Sequence, residues 1–230
     1  MRIFSITTNS NIYASGSCNA YAGNTQVHCA ASFSNKVPIF LQKEKKGWIS
    51  AEYAMLPHAT YTRSDRESSS KPRGRSMEIQ RLIGRCLRSV CDLTVLEGFQ
   101  IRLDCDVIQA DGGTRVTAIN GGFVALAITF AKMMQSGLIT KTPLLNKLCA
   151  LSCVIKDGKP IFDPSYQEDS SADADINLVF THTGHLVEIQ GTGEQGPIQI
   201  QSWSDFITES FEKTSEIRKS QNQALAQMGL

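Results

Sequence analysis

A helix that is apolar on nearly every side can exist only inside something. The segment from about Asn120 to Gln135 reads as such a helix, with Phe123, Val124, Leu126, Ile128, Phe130 and Met133 leaving it no polar stripe. It must be a core helix, and Gly137 marks its end. Lys132 interrupts the run well short of the ~20 apolar residues a membrane span needs, so no transmembrane segment is expected. The chain of 230 residues, 41% hydrophobic and 20% charged with 17 glycines and 7 prolines, is long and apolar enough to enclose it.

The flanking pattern says what encloses it. Ile3 to Thr7 and a stretch ending at Ala22 read as strands. A Gly23-Asn24 turn then leads into an alternating run with Val27, Cys29, Ala31 and Phe33 on one face. Ile101 to Ile108 alternates as well, with Ile101, Leu103, Cys105 and Val107 inward. A first helix is expected from about Met77 to Val90 on the stripe Ile79, Leu82, Ile83, Cys86, Leu87 and Val90, with Arg81, Arg85 and Arg88 opposite. Leu148 to Ile155 reads as a buried strand, Asp157-Gly158 as a hairpin turn, and Ile161 to Tyr166 as the return. Ile176 to Thr181 with Leu186 to Gln190 form another hairpin, and Phe206 to Met228 a terminal helix. The fold class is therefore α+β, in two similar βαβα-type halves, taken as one domain over residues 1–230.

Seven cysteines at 18, 29, 86, 91, 105, 149 and 153 include no CxxC pair and no histidine at ligand spacing, so they read as reduced, buried residues. With MRIFSITTNSN lacking a sustained apolar stretch and a cleavage site, the expected location is the cytoplasm.

The formal net charge of +1 hides an asymmetry. Arg63, Arg66, Lys71, Arg73, Arg75, Arg81, Arg85 and Arg88 outweigh Asp65, Glu67 and Glu78, giving +5 over residues 63–88. Residues 160–212 hold no Lys or Arg and carry −10. The basic segment, starting on a Ser-, Lys- and Arg-rich loop over residues 64–76, points to a nucleic acid or phosphate partner; neutralisation between the two segments is the alternative.

Two motifs carry chemistry. In DGGTR, at residues 111–115, Gly112 and Gly113 allow close backbone approach, Thr114 supplies a short donor, and Arg115 a fork matched to phosphate oxygens. Alone, such a string is more often a tight turn. In EDSSADADIN, at residues 168–177, Asp169, Asp173 and Asp175 crowd like charges, which raises a carboxyl pKa or recruits a divalent cation. Alone, it is more often a solvated acidic turn. His28, His58, His182 and His185 form no nucleophile–base pattern.

The strings GNTQVHCAAS (23–32), GWISAEYAMLPHAT (47–60), GRSMEIQRLIGRCLRSVCDL (74–93), DCDVIQADGGTR (104–115) and EDSSADADINLV (168–179) together resemble the ribonuclease PH family over nearly the whole chain. The resemblance implies a phosphate-dependent 3′-to-5′ exoribonuclease that trims the 3′ end of transfer RNA and releases nucleoside diphosphates. It implies a phosphate site at Arg75, Gly113, Thr114 and Arg115, and catalytic carboxylates at Asp169 and Asp175 that also hold Mg²⁺. RNA would be gripped by Arg63, Arg66, Lys71 and Arg73, within a hexameric ring built as a trimer of dimers. A non-catalytic RNA-binding ring subunit and a ribosome-maturation factor of the same fold are the alternatives. The family usually opens with a basic segment ahead of the first strand, whereas Met1-Arg2-Ile3 leads directly into it. Asn24 and Gln26 stand where the family commonly has Asp and Lys, Ala54 where it has Gly, and His58 where it often has Arg.

Overall fold

Two sheets lie against one helix. The structure, a computed structural model, describes residues 1–41, 43–67, 74–198 and 203–230. The first sheet has the order β1-β2-β3-β5-β4, from β1 (Phe4–Thr8), β2 (Gly16–Ala22), β3 (Thr25–Ser34), β4 (Trp48–Met55) and β5 (Gln100–Gln109). Its strands pair antiparallel except β4 with β5, which run parallel and are joined through α1 (Gly74–Ser89). The second sheet, β7-β6-β8-β9, is antiparallel: β6 (Leu148–Lys156), β7 (Lys159–Phe162), β8 (Ala174–Thr181) and β9 (Leu186–Gly193).

Between them runs α2 (Thr114–Gln135), which packs on β2, β3 and β5 on one side and on β6 on the other. It begins earlier than periodicity placed it, directly after Gly113, because Thr114, Thr117 and Asn120 are buried polar residues that an apolar stripe does not count. Its 22 residues are long and apolar enough to cross a bilayer, yet 89% of the apolar window is buried within the protein. Small residues let it sit close: a Cβ on Gly121 would lie 2.8 Å from both Ala20 Cβ and Cys29 Sγ. Asn120 satisfies its buried amide on the backbone of β6, donating to the Ala150 carbonyl and accepting from the Ala150 N–H, each at 2.8 Å.

The central strands β6 and β8 of the second sheet are covered on both faces, which accounts for their continuous apolar runs. Leu148, Ala150 and Val179 join the α2 core, while Cys149, Leu151, Cys153, Ile176, Leu178 and Phe180 pack beneath Phe206 and Phe211. Phe206 and Phe211 belong to α4 (Trp203–Lys213), followed by α5 (Ser215–Ala226), so the single terminal helix expected from the sequence is two, broken at buried Thr214. The expected return strand from Ile161 to Tyr166 stops at Phe162, and Tyr166 opens a one-turn helix, α3 (Tyr166–Asp169). The first helix starts at Gly74, inside the segment expected to be a loop; residues 68–73 of that segment lie outside the described residues. All seven cysteines are free and buried, as expected.

Candidate active site

The first sheet and α2 build the cationic end of the site. Strand β5 delivers the chain into Asp111-Gly112-Gly113, where both glycines adopt left-handed backbone, with φ 79° and 63°. There is no room for a side chain either, since a Cβ on Gly112 would lie 2.5 Å from the Pro164 carbonyl oxygen. Gly113 is the N-cap of α2 and offers no side-chain cap, so the cap leaves the first-turn N–H groups of a long buried helix available to a ligand. Thr114 follows, with its hydroxyl 2.8 Å from that of Tyr53 on β4. Burial pushes the Tyr53 phenol up, which keeps it a neutral hydrogen-bonding partner. Arg115 projects its guanidinium between Glu78 Oε1 on α1, at 3.9 Å, and Asp175 Oδ2, at 4.0 Å. These separations tether the fork without saturating its donors. Arg75, the second residue of α1, is exposed and lines the same cleft.

The second half builds the carboxylate end. A Ser165–Glu168 capping box opens α3, on which Asp169 is the last residue. Asp175 is the second residue of β8, and Asn177, two residues on and so on the same face, donates to its Oδ1 at 3.0 Å. Burial raises the pKa of both carboxyls. At Asp175 the charge of Asp169 acts in the same direction, while Arg115 opposes it.

One cleft of about 510 Å³ is lined by Arg75, Gly113, Thr114, Arg115, Asp169 and Asp175, which are the phosphate-site and carboxylate residues expected from the sequence. Asp173 is not with the pair. Its Oδ2 accepts the Asp157 N–H at 2.8 Å and its carbonyl accepts from Glu194 and Gln195, so it ties the β6–β7 turn to the strand edge. A larger cleft of about 630 Å³ beside it includes Asp173, Asp205, Glu209, Trp203 and Phe206 but no Lys or Arg among its described lining residues. Size therefore does not single out the site; opposed charges do.

The basic segment is less uniform than its composition. Arg63 and Arg66 are exposed, with Arg63 3.8 Å from Asp65, whereas Lys71 and Arg73 lie outside the described residues. On α1, Arg85 pairs in a two-point fork with Glu188 of β9 at 2.6 and 2.8 Å. Arg88 donates to the Ile49 carbonyl at 2.7 Å and stacks over Trp48, so it is not part of a solvated face. Glu78, Asn177 and Glu194 are cleft or cleft-edge residues that motif reading passed over; Asn177 was within reach of a period-2 argument from Asp175.

Residues 1–131 match the model of the 3′ exoribonuclease family, domain 1, and residues 148–202 that of domain 2. The chain is 47% identical over 217 residues to ribonuclease PH of Rhodospirillum rubrum, covering 94% of this chain and 90% of that one. It belongs to the ribonuclease PH family. A second ribonuclease PH, from Maricaulis maris, is 49% identical over 199 residues, or 86% of this chain and 84% of the relative. The solved Archaeoglobus fulgidus exosome with RNA bound to the active site shares the fold, with a TM-score of 0.80 at 20% identity over 95% of this chain and 87% of that one. The chain is thus an enzyme of the phosphorolytic exoribonuclease type, with inorganic phosphate as co-substrate.

Proposed function

We propose that this chain trims the 3′ end of precursor transfer RNA, with Arg75, Gly113, Thr114 and Arg115 seating inorganic phosphate and Asp169 and Asp175 acting on the leaving ribose oxygen. A phosphate oxygen attacks the last phosphodiester phosphorus, the bond to the 3′ oxygen of the preceding ribose breaks, and that oxygen takes a proton. The products are an RNA shorter by one residue and a nucleoside diphosphate. Two anions must meet, so the guanidinium groups and the first-turn N–H groups of α2 offset their repulsion. Burial raises the pKa of both carboxyls, which favours proton delivery to the departing oxygen. The observation that carries this reading is the placement of both guanidinium groups and both carboxyls in one cleft.

Mg²⁺ fits the donor set in one manner. Among the described residues no group of three or more His, Cys, Asp or Glu side chains is placed to cage a metal, but Mg²⁺ commonly takes one or two carboxylates and completes its shell with water and phosphate. Asp169 and Asp175 would hold it, and it would supply charge neutralisation. Assembly into a hexameric ring, a trimer of dimers, is part of the same proposal. RNA would lie along Arg63, Arg66 and the neighbouring Lys71 and Arg73. Seven free, buried thiols support residence in the reducing cytoplasm.

Incubating 3′-extended transfer RNA with and without phosphate decides the matter. Nucleoside diphosphates that appear only with phosphate are expected; nucleoside monophosphates, or shortening indifferent to phosphate, would refute the reading. A non-catalytic ring subunit of the same fold would produce neither.

A further inference from the structure

Behind the phosphate-seating turn lies an ion pair that takes no part in the chemistry above. Arg2 precedes β1, and its side chain runs past Gly23 to the back of the glycine pair, where a Cβ on Gly113 would lie 3.1 Å from Arg2 Nη2. Its Nη1 donates to the Asp111 carbonyl and its Nη2 to Asp163 Oδ1, the latter at 2.5 Å. The Arg2 backbone N–H donates to the other Asp163 oxygen at 2.8 Å, so one residue occupies both carboxylate oxygens. Both side chains are largely buried, 16% and 9% exposed. Arg2 Nε is buried without a partner among the described residues, where the two terminal nitrogens hold the guanidinium.

Asp111 carries the connection onward. Its Oδ1 accepts the Tyr166 N–H at the start of α3, at 3.2 Å, and its Oδ2 accepts from Asn24 at 3.1 Å. Its own N–H donates to Thr25 Oγ1, whose hydroxyl donates to the Gly112 carbonyl at 2.7 Å. Asp163 itself, just beyond β7, donates its N–H to the Ser152 carbonyl at 2.7 Å. A continuous set of polar contacts therefore joins the glycine turn of the first half to the Asp169-bearing helix of the second.

We propose that Arg2 and Asp163 are positioning residues for phosphate, holding the Gly112–Gly113 turn in register with α3. Neither side chain lines the cleft, so each acts through the turn. A planar fork suits the task, because two acceptors on separate segments must be held at once; a lysine has the charge but not that geometry. The inference rests on the functional reading above.

The test is steady-state kinetics of Arg2→Ala, Arg2→Lys and Asp163→Asn at a temperature where circular dichroism shows each variant folded, with wild type as control. The phosphate KM should rise about tenfold or more in Arg2→Ala and Asp163→Asn, as for a lost charge-assisted hydrogen bond. RNA affinity should stay near the wild-type value, and kcat at saturating phosphate should change less than the phosphate KM, since Arg2 also acts electrostatically on Asp169. Arg2→Lys should recover only part of the loss, and ethylguanidinium added to Arg2→Ala should lower its phosphate KM without affecting wild type. An unmoved phosphate KM, equal losses in RNA affinity and phosphate use, or a lack of rescue would overturn the inference. If Arg2→Ala does not fold, Asp163→Asn, which keeps the shape and one acceptor, reads the same split. Wild-type turnover without phosphate would instead sink the functional reading, so the two failures are distinct.

Discussion

The two ends of the cleft are built by different means. The phosphate end is mostly backbone: two left-handed glycines and the open N-terminus of a 22-residue helix buried between the sheets. The carboxylate end is side chains on modest supports, a four-residue helix and the start of a strand, with Asn177 bracing one oxygen. On the proposed reading the core itself fixes where an anion would sit, whereas local burial raises the proton affinity of the acids. Changes at the first end should act on phosphate affinity, and changes at the second on turnover.

The sharpest way to break that contrast is Asp175→Asn. Turnover should fall by roughly 10²–10⁴, the usual range for losing a proton-transfer group, while RNA binding stays close to wild type. The same variant should be more stable at neutral pH. A folded-state pKa above the ordinary carboxylate value means that folding disfavours the charged form. That cost is present above the folded pKa and vanishes below the ordinary one, so the gain in Tm over wild type should shrink as pH is lowered through the carboxylate range. Equal melting temperatures at pH 7 would remove burial as the cause. Next in size, Arg115→Ala should raise the phosphate KM by about 10–100-fold, equivalent to one charged hydrogen bond, in a phosphate titration at fixed RNA. A matching loss of RNA affinity would erase the division between the ends.

Smaller effects belong to the surface. Replacing Arg63 and Arg66 together with Ala should weaken transfer RNA binding a few-fold and flatten its logarithmic salt slope by about 1.4–1.8, read from filter binding at several salt concentrations. Arg85→Ala cuts the fork to Glu188 that links α1 to β9, but Arg85 is 51% exposed. Solvent screening should hold the loss to about 1 kcal/mol or less, seen as a small drop in Tm with turnover unchanged.

Much of this is legible in the sequence. Alternation marked β3 and β5, and the Asp157-Gly158 pair marked its hairpin turn, where both residues do take positive φ. The motif strings named six residues that line one cleft. What escaped had physical reasons. Apolar periodicity cannot see a first turn made of Thr114 and Thr117, nor a helix break at Thr214 whose hydroxyl turns back to the Phe211 carbonyl. Asp173 looked equivalent to its neighbours because charge density along a chain says nothing of which backbone N–H a carboxylate will find. Arg2 had no local signal at all, since its partners are 109 and 161 residues away.

The seven thiols have a practical consequence. Cys18, Cys29 and Cys105 stand side by side across β2, β3 and β5 beneath α2, and burial pushes Cys86 and Cys91 up to about 12. In the native state Cys86 and Cys91 present no thiolate, and the burial of all seven sulfurs leaves a reagent no open path to them. Alkylation by iodoacetamide should therefore proceed at the pace of global opening, so that this chain carries its own clock for how often it comes apart.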